Sequence, residues 1–385
     1  MNPKIRQRKA SPALLAGTRA STAPGRDPLL PGLLALLILA PAGCSKPTCA
    51  ADHADCDLVA ANGCEVDTQS DAQNCGACGL VCDGQPCVRG VCGVPSCRDL
   101  PPTCGPTGDD SCCASPLVTG GTYFRSRDVA PDNAYPDESN PATVSDFRLD
   151  RYEITVGRFR NFVAALEAGW TPQRGMGANP YIANSGWDHD GSAFWVLDAQ
   201  GLVNNLQCVP SFWTWTDDPD ANDNRPINCI NWYEAFAFCA WDGGFLPTEA
   251  EWNYAAAGGA EQRAYPWSVP PSAVTIDSSY AVYSCAAGCT GVADIGLVGS
   301  KSPAGDGRWG QADLAGNVWE WNLDQYDDYV PACLDCANLS PGIYRVGRGG
   351  FPDDVAAYLR SAHRDFAEAG PGRNFSIGAR CARAP

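Results

Sequence analysis

Apolar side chains recur along this chain with two periods. In Val144-SDFRLDRYEIT, Phe147 and Leu149 alternate with charged neighbours, which predicts a half-buried strand. Leu117-VTGGTYFRS reads as an opening strand and turn. After Thr155 the spacing changes: Phe159, Phe162, Val163 and Leu166 make one apolar stripe of a helix that Thr155 caps. Two further helices begin with capping boxes, Asn231-Trp-Tyr-Glu234 and Thr248-Glu-Ala-Glu251, in which a short polar side chain and a carboxylate three residues on satisfy exposed amides reciprocally. The first of these is expected to bury Trp232, Ala235, Phe236 and Cys239. Between the helices the chain is rich in Gly, Pro, Asn and Asp, so long strands are not expected.

Aromatic residues divide the 385 positions. No Phe, Trp or Tyr precedes Tyr123, and all twelve Trp lie from Trp170 onward. A segment without large apolar side chains cannot offset its chain entropy unaided, so residues 45–113 need cross-links whereas 114–385 can build a core. The reading is three parts: 1–43 a signal peptide, 44–113 a cysteine-rich disulfide module, and 114–385 the large domain.

Residues 1–43 carry a basic start (Lys4, Arg6, Arg8, Lys9, Arg19, Arg26) and then the run Leu29-LPGLLALLILA, too short for a membrane span. Two cleavages compete. Ala40-Pro41-Ala42 fits a secretory site, while Ala42-Gly43-Cys44 resembles the end of a bacterial lipobox with Pro41 in the aliphatic position. Of 21 cysteines, setting aside Cys44 leaves twelve from Cys49 to Cys113 and eight from Cys208 to Cys381, both even, as an oxidised exported chain would have. Lipidation at Cys44 and anchoring in an outer membrane or at the cell surface is therefore the leading expectation, with a secreted or periplasmic protein as the alternative. Without residues 1–43 the chain has 21 basic against 43 acidic groups, a balance that disfavours nucleic acid and anionic lipid headgroups as partners.

Within 49–113, Cys75-Gly-Ala-Cys78 has the spacing of half a zinc site, but export and even counts favour disulfides. Asn62-GCEVDTQSDAQNCGACGLVC resembles a cysteine-rich module of exported myxobacterial proteins, which implies a stapled spacer or adhesion module.

Seven motifs of the large domain occur in one order: the Gly120-Gly121 strand, Arg151-YEIT, Pro226-INCINWYEAFAFCAW, Leu246-PTEAEW, Ala315-GNVWEW, Arg348-GG and Ile377-GARCA. Together they resemble the formylglycine-generating enzyme (sulfatase-modifying factor) family. The resemblance implies an α+β fold, an elaborated C-type-lectin-like domain with little regular secondary structure. It implies a disulfide between Cys239 and Cys381, and a second bridge whose positions here are Ala256 and Ser361, both partners missing together. It implies one structural calcium held by Asp313, Gly316, Val318 and Glu320, oxygen donors suited to a hard cation. A second family calcium site lacks its Asn at Val282.

The resemblance fails at the redox cysteines. The family carries two just after Arg-Gly-Gly, binding copper and handling a substrate thiol, whereas here the stretch reads Phe351-PDDVAAYLRSAHR. Copper(I) needs soft thiolates, which Asp353 and Asp354 cannot replace, so copper is not expected. Asp353, Asp354 and His363 are candidates for a different metal site, set against a loop and a strand edge. Cys333 and Cys336 are expected to form a local C-x2-C pair or to bridge to Cys285 or Cys289. A related branch that joins sulfur to histidine derivatives needs an extra helical domain with iron-binding His, and the chain has three His. Neither a phosphate-binding G-x4-G-K-[ST] loop nor a G-x-S-x-G elbow is present.

The expectation is therefore a non-catalytic, ligand-binding surface protein whose partner is a glycan or peptide, with Trp187, Asp188, His189, Phe212, Trp213 and Trp215 as candidate contacts. Its rival is an oxidase of protein cysteine with a changed active site. Treating producing cells with globomycin should accumulate an uncleaved precursor; an unaltered mature product would remove Cys44 as the lipid site.

Overall fold

The computed structural model describes residues 49–385 apart from 51–52, 58, 60–62, 76, 83–86, 89–90, 189–197, 286–287, 330, 332 and 370–372. The signal peptide and Cys44 lie outside the described residues, as does His189.

Two small hairpins begin the described chain: β1 (His53–Ala54) with β2 (Val66–Asp67), and β3 (Cys87–Val88) with β4 (Val91–Cys92). Disulfides Cys49–Cys64, Cys56–Cys78, Cys75–Cys87, Cys97–Cys113 and Cys104–Cys112 hold this segment. Cys75 and Cys78 thus belong to different bridges, and neither offers a thiolate to zinc.

The rest is a mixed α+β domain with three short sheets. β5 (Leu117–Val118), β8 (Phe147–Leu149) and β14 (Ala382–Arg383) form one, with β8 central. β6 (Gly121–Phe124), β7 (Pro141–Val144) and β10 (Cys333–Leu334) form the second, β10 running parallel to β7. The third orders β12 (Asp365–Glu368), β11 (Tyr344–Arg348), β9 (Trp319–Gln325) and β13 (Ile377–Gly378).

Helix α1 (Val156–Glu167) starts where Thr155 accepts a hydrogen bond from the Arg158 amide, and its stripe Phe159, Phe162, Val163 and Leu166 is buried. Helices α3 (Trp232–Trp241) and α4 (Glu249–Ala256) carry complete capping boxes from Asn231 with Glu234 and from Thr248 with Glu251. A short helix α2 (Ala199–Asn205) covers part of the same core. Phe159 stacks on Phe238 at 5.6 Å, which locks α1 against α3.

The cysteine-rich segment docks on this domain rather than standing off it. Fully buried Arg158 of α1 donates to Asp150 (3.0 Å), Asp242 (2.7 Å), the Ser96 hydroxyl (2.9 Å) and the Cys112 carbonyl (3.2 Å). Arg383 of β14 meets the same two aspartates at 3.2 and 2.8 Å, and Ser96 donates its amide and hydroxyl to Asp242. Two buried cations and two buried anions balance. Burial alone would raise the Asp150 carboxyl, but Arg383 and Arg158 outweigh it and hold its pKa below the ordinary value. Asp242→Ala would leave two buried guanidiniums short of a partner and is expected to cost about 3–5 kcal/mol. Urea denaturation reads this as a lower midpoint, and an unchanged midpoint would refute the role given to the network.

Candidate functional site

The turn after β11 builds the region where a redox pair is missing. Arg348 is buried and donates to the carbonyls of Ser361, Ala362 and His363 and to Glu249 at 2.5 Å, pinning the returning chain. Gly349 and Gly350 have φ of +106° and +96°, which side-chain-bearing residues rarely adopt, and a Cβ on Gly350 would sit 2.8 Å from Leu359. Beyond them Phe351 is buried and Asp353 is exposed. One carboxylate oxygen of Asp354 accepts hydrogen bonds from the Trp319 indole (2.9 Å) and the Phe351 amide (2.7 Å). Burial pushes this carboxyl up, and those two bonds only partly offset it.

His363 lies just before β12, wedged between Tyr358, stacked at 4.7 Å, and Trp319 at 5.8 Å, with Nδ1 and the Tyr135 hydroxyl 3.0 Å apart. Burial, aided by Arg348, pushes its pKa down to about 4, so the ring is neutral at pH 7. Asp353, Asp354 and His363 do not converge: among the described residues they form no set of three ligand atoms within 4.8 Å.

Every cysteine from 208 to 381 is in a disulfide: Cys208–Cys229, Cys239–Cys381, Cys285–Cys289 and Cys333–Cys336. The C-x2-C pair is therefore local. Ala256 and Ser361, the positions of the absent second bridge, lie in contact, with the Ser361 hydroxyl donating to the Ala256 carbonyl at 3.0 Å. A hydrogen bond stands where the family would hold two sulfurs.

In the calcium-type turn, Asp313 (φ +56°), Gly316 (φ +87°) and Asn317 (φ +65°) bend the chain ahead of β9. Gly316 is required, because a Cβ there would be 2.4 Å from the Val282 carbonyl. Asp313 accepts from the Gly299 amide at 2.5 Å. Both oxygens of Glu320 are engaged by Arg380, at 2.7 and 2.6 Å, and one also accepts from the Trp252 indole. Glu153, absent from the sequence-derived site, is buried alongside and accepts from the Asn317 side chain and the Val318 amide. Three buried carboxylates thus share one close cation, Arg380. Burial first, then Asp313 and Glu320, push Glu153 well above the usual carboxylate range, and burial raises Asp313 to about 6. Asp313 with the carbonyls of Gly316 and Val318 would be the donors left for a divalent cation, since Glu320 as placed is Arg380's partner.

The proposed ligand surface is only partly a surface. Trp187 is 1 % exposed and Trp215 4 %, so both are core side chains, the first against Phe236 and the second against Phe159. Asp188 is exposed, while Phe212 and Trp213 are half-buried. Phe212 meets Phe375 at 4.5 Å, and Phe375 meets Phe351 at 5.4 Å, so this aromatic cluster adjoins the turn after β11.

A cavity of about 120 Å³ lies at Trp319, Asp365, Phe366, Asn374 and Ser376. It has room for roughly four waters. A larger cleft of about 760 Å³ runs between α1 and the cysteine-rich segment, lined by Trp170, Trp241, Thr171, Gln173, Arg98 and Asp99 among others. Sequence reasoning missed it because its two walls come from segments treated as separate parts.

The sequence pattern of the family described as "Sulfatase-modifying factor enzyme 1-like domain" matches residues 104–385, beginning at Cys104 rather than at 114. The chain is similar to hercynine oxygenase of Mycolicibacterium smegmatis, 29% identical over 280 residues, covering 66% of this chain and 57% of that protein. It is similar to the formylglycine-generating enzyme of Thermomonospora curvata, 30% identical over 258 residues, covering 60% and 80% respectively. It is also similar to inactive C-alpha-formylglycine-generating enzyme 2 of Bos taurus, 29% identical over 225 residues, covering 54% and 70%. The chain spans a little over half the length of the hercynine oxygenases it matches. Residues 104–385 of this chain belong to the formylglycine-generating enzyme (sulfatase-modifying factor) family.

Proposed function

We propose that the protein is an exported, lipid-anchored member of this family that binds a ligand and does not convert a substrate cysteine to an aldehyde. The observation that carries the reading is the state of the sulfurs. Each cysteine of the family domain is closed in a disulfide, and Asp354, bonded to Trp319 and Phe351, occupies the turn where a thiolate pair would stand. A relative named as inactive supports it, and the density of bridges supports an oxidising compartment. Among the described residues no helix is long and apolar enough to cross a membrane, which is compatible with a lipid at Cys44 as the anchor.

The cleft of about 760 Å³ is the site we assign to the ligand, since its volume lies in the range of small-molecule and oligosaccharide pockets. The half-buried indole of Trp170 offers an apolar surface backed by the buried Trp241, and the exposed Thr171 and Gln173 offer uncharged hydrogen-bonding groups. On the α1 side these uncharged groups favour a glycan, with the charged Arg98 and Asp99 on the cysteine-rich wall. On glycan and peptide arrays the purified chain is expected to give signals confined to the glycans and lost in Trp170→Ala. Silence on both arrays would sink the reading.

One observation favours a second reading, oxidation of a protein cysteine by a relocated pair. The Cys285 amide donates to the Pro352 carbonyl at 3.0 Å, and Cys289 packs near Phe351, so this pair borders the vacated turn. Incubating the reduced protein with copper and a Cys-x-Pro-x-Arg peptide decides between them: conversion of the cysteine to an aldehyde would establish the oxidase, and unchanged peptide is the expected result.

Calcium is part of the proposal as a structural ion. Asp313 has a folded pKa of about 6, above the unfolded carboxylate value near 4, so the stability linked to its proton is present below about pH 4 and lost as pH rises to about 6. A cation at Asp313 replaces the proton and removes that loss. Adding calcium at pH 7 is therefore expected to raise Tm by several degrees, and Asp313→Asn to abolish the rise. Equal melting curves in calcium and in chelator would rule the ion out.

A further inference from the structure

We propose that Cys333 and Cys336 form a thiol–disulfide exchange site, which cycles between disulfide and dithiol with small or peptide thiols while the other bridges of the domain stay closed. The bridge spans a separation of 3 residues, against 142 for Cys239–Cys381. Opening it therefore frees little chain, because the constraint a disulfide places on the unfolded state grows with its loop.

The turn is also held without its sulfurs. The Asp335 amide donates to the Thr143 carbonyl at 2.9 Å, and its carboxylate accepts from the Ser145 amide and hydroxyl at 2.6 and 2.7 Å. Reduction leaves those bonds in place.

The two sulfurs differ in access and charge. Cys333 is 5 % exposed, Cys336 is half-buried, and Leu334 between them is 69 % exposed. An incoming thiolate meets Cys336 first. The Arg125 guanidinium donates to the Cys336 sulfur at 3.5 Å while lying over the Tyr329 ring at 4.4 Å. A cation at that distance stabilises a thiolate on Cys336, and a stabilised reduced form makes the disulfide a better oxidant.

Glu249, Asp324, Asp327, Asp328, Tyr329 and Arg364 also face this cleft. Glu249 is neutralised by Arg348 and Arg364, the buried Asp324 has its two oxygens held by the Glu249 and Asn338 amides, and Asp327 and Asp328 are exposed, so solvent screens them. The other short bridge is an internal contrast. Cys285–Cys289 spans 4 residues, but its neighbour is the Asp294 carboxylate, within 4.8 Å, which opposes a thiolate.

The step balances. A substrate thiolate attacks the Cys336 sulfur, the S–S bond breaks, and its electron pair leaves on the Cys333 sulfur, which takes a proton. A second substrate thiolate attacks the substrate sulfur of the mixed disulfide and releases Cys336 as the thiolate. Two thiols become one disulfide and the protein pair gains two electrons; a glutathione-type disulfide reverses the sequence.

The test uses the full chain equilibrated in graded mixtures of reduced and oxidised glutathione, quenched, alkylated and mapped by peptide mass. Cys333 and Cys336 are expected to be labelled at ratios where Cys285, Cys289, Cys239 and Cys381 are protected. Cys333→Ser should trap glutathione on Cys336 at pH 7, and Cys336→Ser should trap far less on Cys333. In the Cys333→Ser background, Arg125→Ala should slow Cys336 alkylation at pH 7 by about tenfold, with Arg125→Lys restoring most of the rate. Labelling of Cys333 and Cys336 only together with Cys239 and Cys381, equal reduction of the Cys285 pair, or equal trapping by the two serine variants would each overturn the proposal. The unmutated chain supplies the first two readings, so they do not depend on any variant folding.

Discussion

Arg380 sits with no exposure at the meeting point of four segments, and its guanidinium is spent entirely on them. It donates to both oxygens of Glu320 on β9, to the carbonyls of Asp150 and Arg151 ahead of α1, and to the Ala312 carbonyl in the turn before β9. A planar fork with five donors is the one side chain that can do this, and a lysine ammonium would leave carbonyls unpaired. The next residue, Cys381, is tied to α3, and Arg383 reaches the Asp150–Asp242 pair. The stretch from 380 to 383 thus joins β9, α3 and the sheet of β5 and β8, and Arg380 holds the turn at Asp313 through the Ala312 carbonyl.

Charge placement follows from the anchor. Around Arg158 and Arg383 two cations meet two anions, and the cluster is closed. Around Arg380 one cation meets three carboxylates, and burial holds Glu153 and Asp313 above the ordinary carboxylate pKa. The same acidic chain therefore has one buried centre that is finished and one that is not. The calcium proposal rests on this contrast rather than on net charge.

Local signals in the sequence were legible where they act within a few residues. Thr155, the two capping boxes and the stripe of α1 all appear as read, because an N-cap and its amide are three positions apart. The contact of Ser361 with Ala256 shows the register carried by the motifs was sound over a separation of 105. What could not be read depends on partners far along the chain. β9 alternates polar and apolar residues like a half-exposed strand, yet Glu320, Asn322 and Asp324 are buried, because Arg380, Trp252 and the Glu249 amide cover that face. Trp187 and Trp215 sit in stretches rich in Gly, Asn and Asp that look like surface loops, but the chain folds inward there. Glu153 inside Arg151-YEIT carried no mark that set it apart from a solvent-facing strand residue.

The strand β14 completes the sheet that β5 and β8 begin, although more than two hundred residues separate them in the chain. During synthesis, which runs from the amino terminus, β5 and β8 emerge long before the strand that pairs with β8, and α3 emerges long before its disulfide partner. Until residues 380–383 have left the ribosome, Asp150 has Arg158 but not Arg383, Glu320 has the Trp252 indole but not Arg380, and Cys239 has no sulfur to pair with. The sheet edge at β8 and the sulfur on α3 therefore stay uncovered until these last contacts form, so closure of the domain is set by its longest-range pairings.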